Sequence, residues 1–312
     1  MTPGAPSGPT AAPPPESADP APGTPRWLRH PVTRVLLVVV LFVAVLAAAA
    51  LAGSLAAAAV AAPGPAALVD GVVAALVGIA VYALAVRLTE RRPVVELDVR
   101  AAPLGLLRGI AWGAGLFTLV IGAIAATGGY RVTGTGSAAG VLVLLGLSVS
   151  SGVVEELAFR GVLFRVVEGL AGTWVALAVS AVAFGGVHLT NPDATLWGAV
   201  AIAVEAGLLL AAAYVVTRRL WMPIGLHAAW NFTQGGVFGV PISGSGLGPG
   251  GLLRGELSGP ALLSGGSFGA EASVFAVVVG AAAAAFLLRR AARAGQFRAP
   301  AWRRPAERRE RV

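Results

Sequence analysis

Two adjacent carboxylates, an arginine, two histidines and an asparagine interrupt segments otherwise built mainly of Ala, Val, Leu and Gly. They fall in three short stretches: Glu155-Glu156-Leu-Ala-Phe-Arg160, Phe184-Gly-Gly-Val-His188 and His227-Ala-Ala-Trp-Asn231. Each stretch holds two groups four apart, and residues i and i+4 share one helix face. Arg160 follows Glu156 by four positions and Glu155 by five, so the local ion pair is Glu156–Arg160. Pairing matters because an isolated charge in an apolar medium is costly. Glu155 points about 100° away around the helix and has no local cation. A carboxylate and imidazoles can take a proton from water. An amide such as Asn231 has no useful basicity and acts chemically only by donating to developing negative charge. The set is what hydrolysis by an activated water requires. Each member also has a plainer use: the Glu156–Arg160 pair as structural glue, His227 and Asn231 as interhelical hydrogen-bonders, Phe184 as packing. Glu205, isolated in an apolar run, divides evenly between structural and functional readings.

These residues need apolar scaffolding, and the composition supplies it. Of 312 residues, 56% are hydrophobic and only 12% charged, with a mean hydropathy of +0.80. A soluble domain carries about a quarter charged residues, so a soluble enzyme, a coiled coil and a disordered chain are excluded. A polytopic membrane protein remains. The absence of cysteine removes thiolate nucleophiles, disulfides and Cys-ligated zinc. The formal charge of +8 would suit nucleic acid, but the arginines stand at the ends of apolar runs, where topology signals belong. No nucleic-acid partner is expected.

Punctuation by Pro, Gly and Arg predicts eight transmembrane helices, at about 35–60, 66–86, 105–127, 137–167, 173–189, 194–217, 223–240 and 270–288. The expected fold class is therefore all-α, with a polar intramembrane active-site cavity. Residues 128–136 and 241–268, rich in Gly, read as loops. Residues 1–30 read as a disordered, Pro-rich cytoplasmic arm, 31–290 as the transmembrane domain with its chemical core at about 140–235, and 291–312 as a basic cytoplasmic tail. His30 falls at the membrane edge, and Asp70, Glu168 and Glu271 fall near predicted helix ends, where interfacial charges are ordinary. With the N-terminus inside, all arginines except Arg131 and Arg254 fall on one side, which predicts a multi-pass cell-membrane protein with both termini cytoplasmic.

The three motifs, in this order, resemble those of the CPBP family of intramembrane proteases, which includes the Rce1-type CAAX prenyl endopeptidases and the bacterial Abi proteins. The family pattern Glu-Glu-x-x-x-Arg, Phe-x-x-x-His, His-x-x-x-Asn reads here as EELAFR, FGGVH and HAAWN, without departure. The resemblance covers about 140–235. It implies a glutamate-dependent endopeptidase acting on a membrane-associated protein or peptide in the bilayer. In that reading Glu155 and His188 activate water, His227 and Asn231 hold the oxyanion, and Glu156 and Arg160 brace the site. It implies no cofactor, although Glu155, His188 and His227 are also a possible His₂Glu zinc set with one open position. The HExxH signature is absent. The rival class is a non-catalytic membrane protein, either a transporter or a bacteriocin-immunity factor. One geometric demand follows. His188 ends one predicted helix and His227 begins another, so a single site requires a tilted, broken or re-entrant element: either the fourth and fifth predicted helices project into the cytoplasm, or the break at Asn191-Pro192 lies inside the fold.

Overall fold

The computed structural model describes residues 31–246 and 250–303. The expected N-terminal arm, with His30, and the end of the tail lie outside these residues. The first elements are helices α1 (Pro31–Ala57), α2 (Pro63–Thr89) and α3 (Ala102–Ala126). Proline stands in the first turn of α2 and α3, where the missing N–H costs nothing. Strand β1 (Tyr130–Thr135) follows, then α4 (Ala138–Glu156), which Ser137 caps by accepting from Gly140 N–H. A π-helical turn (Leu157–Phe164) carries α4 without interruption into α5 (Arg165–Val187).

Within α5, Gly172 has φ 81° and ψ 170°, a conformation closed to residues with a Cβ without strain. The chain doubles back there. The rings of Phe159 and Phe184 meet edge to face with centroids 4.9 Å apart, whereas 25 residues of straight helix would separate them by about 37 Å. The stretch Ala138–Thr190 is therefore a helical hairpin, as expected from Gly169 and Gly172.

Next come α6 (Leu196–Ile202), a π turn (Ala203–Leu208) and α7 (Leu209–Thr217), forming one rod. Helix α8 (Trp221–Asn231) runs into a further π turn (Phe232–Val237). Strand β2 (Leu253–Leu257), the short α9 (Ala261–Ser264) and α10 (Val274–Arg293) complete the order. Among the described residues, five stretches are long and apolar enough to cross a membrane: Pro63–Thr89, Val95–Ala126, Ala138–Thr190, Leu196–Thr217 and Val274–Arg293. The Leu196–Thr217 rod is the central one, two-thirds of its most apolar window being buried against one-third in the others. Outward-facing Leu51, Leu84, Leu107, Leu119 and Val182 remain exposed, as lipid contact requires.

Three expectations are corrected. The segment 128–136 is not all loop, because β1 pairs antiparallel with β2, which also replaces part of the loop expected at 241–268. Arg131 and Arg254, the two arginines outside the main charge pattern, come together in this sheet, Arg131 pairing with Glu256 at 2.8 Å. The last helix starts at Val274 rather than 270, after a 3-10 turn (Ala270–Ala272), and runs on to Arg293. Glu168 and Glu271, expected as ordinary interfacial charges, are instead buried inside the protein, 1% and 2% exposed. Glu168 pairs with Arg218 at 2.5 Å and accepts from Thr173 Oγ1 at 2.6 Å. Around it, Arg165 pairs with Glu90, Arg92 with Glu96, and Tyr82 donates to Glu96, tying one end of the helices together. Gln296 and Arg298 bond to the chain near Val216 and Thr173, so the segment after α10 packs on that same end.

Candidate active site

The two motif-bearing helices, α4 and α8, approach closely because Gly152 lacks a side chain. A Cβ there would meet the Ala228 backbone nitrogen and Cβ at 2.8 Å. This contact sets Glu155 and Glu156, about one turn further along α4, beside His227 and Asn231 on α8.

Glu156 and Arg160 form the expected ion pair, Nη1 to Oε1 at 2.7 Å, with both side chains fully buried. The guanidinium also donates to Gly207 O at 3.1 Å, and its Cζ lies 4.5 Å from the Phe184 ring centroid. A carbonyl from the central rod and an aromatic face thus share the buried cation. The same Glu156 oxygen takes a second contact, His227 Nδ1 at 3.0 Å. Bound to a carboxylate, that nitrogen carries the proton, which turns His227 Nε2 toward Glu155 Oε2 at 4.0 Å.

Glu155 differs from its neighbour. It is partly exposed, with 28% of its side chain accessible, and its Oε2 has no hydrogen-bond partner. His188 Nδ1 lies 2.7 Å from Phe184 O. A carbonyl only accepts, so Nδ1 carries hydrogen and the neutral ring presents the Nε2 lone pair. Phe184 stands between the imidazoles, its centroid 5.0 Å from His188 and 5.8 Å from His227. The ring that read as packing is thus the piece that joins Arg160 and both histidines.

Asn231 Nδ2 donates to Ser151 Oγ at 3.1 Å. Ser151 escaped the sequence reading, although a polar residue four before Glu155 on an apolar helix was a signal. Glu155, His188, His227, Asn231 and Ser151 line one cavity of about 330 Å³. Its other wall holds Glu205 and Glu271, and Asn191 lies at its rim, donating to Ser243 O at 2.5 Å. Asn191 is half-buried and faces the cavity, while Pro192 and Asp193 beside it are exposed. Glu156 and Arg160 stay behind the cavity wall. Among the described residues no three His, Cys, Asp or Glu side chains group so as to hold a metal ion. Glu155, His188 and His227 are not grouped as a ligand set among these residues.

Removing the Glu156 charge leaves Arg160 buried beside a neutral partner. Glu156→Gln is expected to lower stability by about 3–5 kcal/mol, the cost of breaking a buried pair. Denaturant unfolding in detergent measures it, and an unchanged unfolding midpoint would remove the bracing role.

No curated protein and no solved structure matches the chain. Residues 137–233, from the N-cap of α4 to just past Asn231, match the family model described as type II CAAX prenyl endopeptidase Rce1-like. The segment that carries the three motifs is thereby similar to the CAAX proteases of the CPBP family, whose members are peptide hydrolases.

Proposed function

We propose that this protein is an intramembrane endopeptidase that hydrolyses a peptide bond in a membrane-associated protein or peptide by activating water. The observation that carries this reading is the unpartnered Oε2 of Glu155 in a cavity that also holds His188, His227 and Asn231. Water between Glu155 and His188 loses a proton to the carboxylate, with His188 Nε2 as a second acceptor. The hydroxide adds to the scissile carbonyl carbon, and the carbonyl oxygen becomes an oxyanion. The second N–H of Asn231, the one not given to Ser151, donates to it. His227 can donate through Nε2 as well, provided that the ring carries both protons, because Nδ1–H is already engaged by Glu156. The oxyanion then re-forms the carbonyl, the C–N bond breaks, and Glu155 returns its proton to the leaving amine nitrogen. Glu156 and Arg160 touch no substrate; they fix the His227 ring and act as positioning residues.

This scheme uses no cofactor. Full activity after dialysis against EDTA and after treatment with phenanthroline is the expected result. Loss on chelation, reversed by stoichiometric zinc, would reinstate the His₂Glu alternative. The same reading takes the chain to cross the bilayer eight times with both termini cytoplasmic. It is supported by the grouping of Glu90, Arg92, Arg165, Glu168 and Arg218 at one end, and by the sheet at the far end of α3. The direct test is cleavage of an apolar fluorogenic peptide by the purified protein, wild type against Glu155→Gln.

A further inference from the structure

Two acids in the cavity have no part in that scheme. Glu205, on the π turn of the central rod, is 1% exposed, and Glu271, on the 3-10 turn before α10, is 2% exposed. They lie 66 positions apart in sequence yet interact electrostatically and line the same cavity as Glu155 and His227. Neither forms an ion pair among the described residues, and Glu205 Oε2 and Glu271 Oε1 have no hydrogen-bond partner. Ser243 and Gln234 donate to Glu271, and His227 acts on it through its charge. Burial nonetheless pushes the Glu271 carboxyl above its ordinary range.

The packing around the pair is specific. Gly280 of α10 lets Glu205 approach, since a Cβ there would meet the Glu205 Cα at 2.6 Å. Trp197 Nε1 donates to Ala272 O at 2.7 Å, pinning the turn beside Glu271. Two buried carboxyls held together with no ion-pair partner are unfavourable unless something else gains from them. The guanidinium of Arg160, behind the cavity wall, is already taken by Glu156. The cavity therefore presents three carboxyls, Glu155, Glu205 and Glu271, with no arginine side chain in its lining.

We propose that Glu205 and Glu271 form a subsite for a cationic side chain, a guanidinium or an ammonium, on the peptide that is cut beside Glu155. This rests on the endopeptidase reading and adds a substrate class to it. The cation supplies the charge that the pair lacks, and the pair holds a basic residue at a fixed distance from the scissile bond. Substrates with Arg or Lys at that one position are favoured over equally apolar peptides without it.

The test uses the full-length protein in detergent and dansyl-labelled apolar peptides. One Arg is walked through the positions, each peptide paired with its citrulline counterpart, which has the same shape and no charge. At one position the Arg peptide should bind and be cut with a KM roughly tenfold or more below that of the citrulline peptide. The Arg/citrulline ratio should fall toward unity in Glu205→Gln and in Glu271→Gln, with thermal melts showing that the variants fold. If one variant does not fold, the other decides. Equal binding of Arg and citrulline peptides at every position in the wild type, or a ratio unchanged in both variants, overturns the subsite. Cleavage without preference leaves proteolysis standing and removes the subsite. Preference for Arg in binding without cleavage keeps the subsite and removes the proteolytic reading. Neither binding nor cleavage removes both.

Discussion

Glu155→Gln is expected to lower kcat for peptide hydrolysis by roughly 10²–10⁴, the contribution of a positioned general base. The substitution keeps the volume and removes the basicity. It breaks no ion pair to arginine, because Arg160 belongs to Glu156. It leaves Oε2 no poorer, because that oxygen has no partner to lose. The thermal melt should therefore match the wild type. This contrast with Glu156→Gln, which should lose stability and activity together, separates the base from the brace. The two carboxylates are adjacent in sequence and identical in type, and only their surroundings differ. The measurement is kcat per folded molecule on a fluorogenic peptide, with monodispersity and melt as the folding controls. Full activity in folded Glu155→Gln would end the assignment and return the transporter and immunity-factor alternatives.

Asn231→Ala should lower kcat by roughly 10²–10³ with little change in KM, the usual cost of one oxyanion donor. Asn231 is 8% exposed and gives one N–H to Ser151 Oγ, which orients the amide and leaves the second N–H for the cavity. Asn231→Asp exchanges the donor for an acceptor and should be at least as damaging when ionised. Were Asn231 only an interhelical link, truncation would reduce the yield of folded protein while the surviving molecules turned over normally. That result, normal kcat in correctly folded Asn231→Ala, would sink the oxyanion role.

What the sequence could determine was whatever helical periodicity carries locally. The Glu156–Arg160 pair follows from a four-residue spacing, and the structure has it at 2.7 Å. The isolation of Glu155 from that arginine follows from the same arithmetic. The turn at Gly172 follows from glycine's access to positive φ, and the helical, membrane-spanning character from a chain with 12% charged residues. None of these needs knowledge of what lies across the molecule.

Only tertiary structure decided the rest, because helix-to-helix approach has no fixed spacing in sequence. Glu156 meets His227 across 71 positions, and Asn231 meets Ser151 across 80. Both contacts depend on Gly152 admitting Ala228, a close approach that one glycine among 42 does not announce. Phe184 joins His188 to His227 because the hairpin at Gly172 returns it to Arg160. Glu205 and Glu271 read singly as an ambiguous acid and an interfacial one. The fold buries both against one cavity, since the Gly-rich stretch between α8 and α10 pairs β2 with β1 and brings Ser243 and Glu271 to the cavity wall. Polar groups there gain their meaning from partners that are distant in the chain, and the burial that makes an unpaired charge costly exists only once the helices have packed.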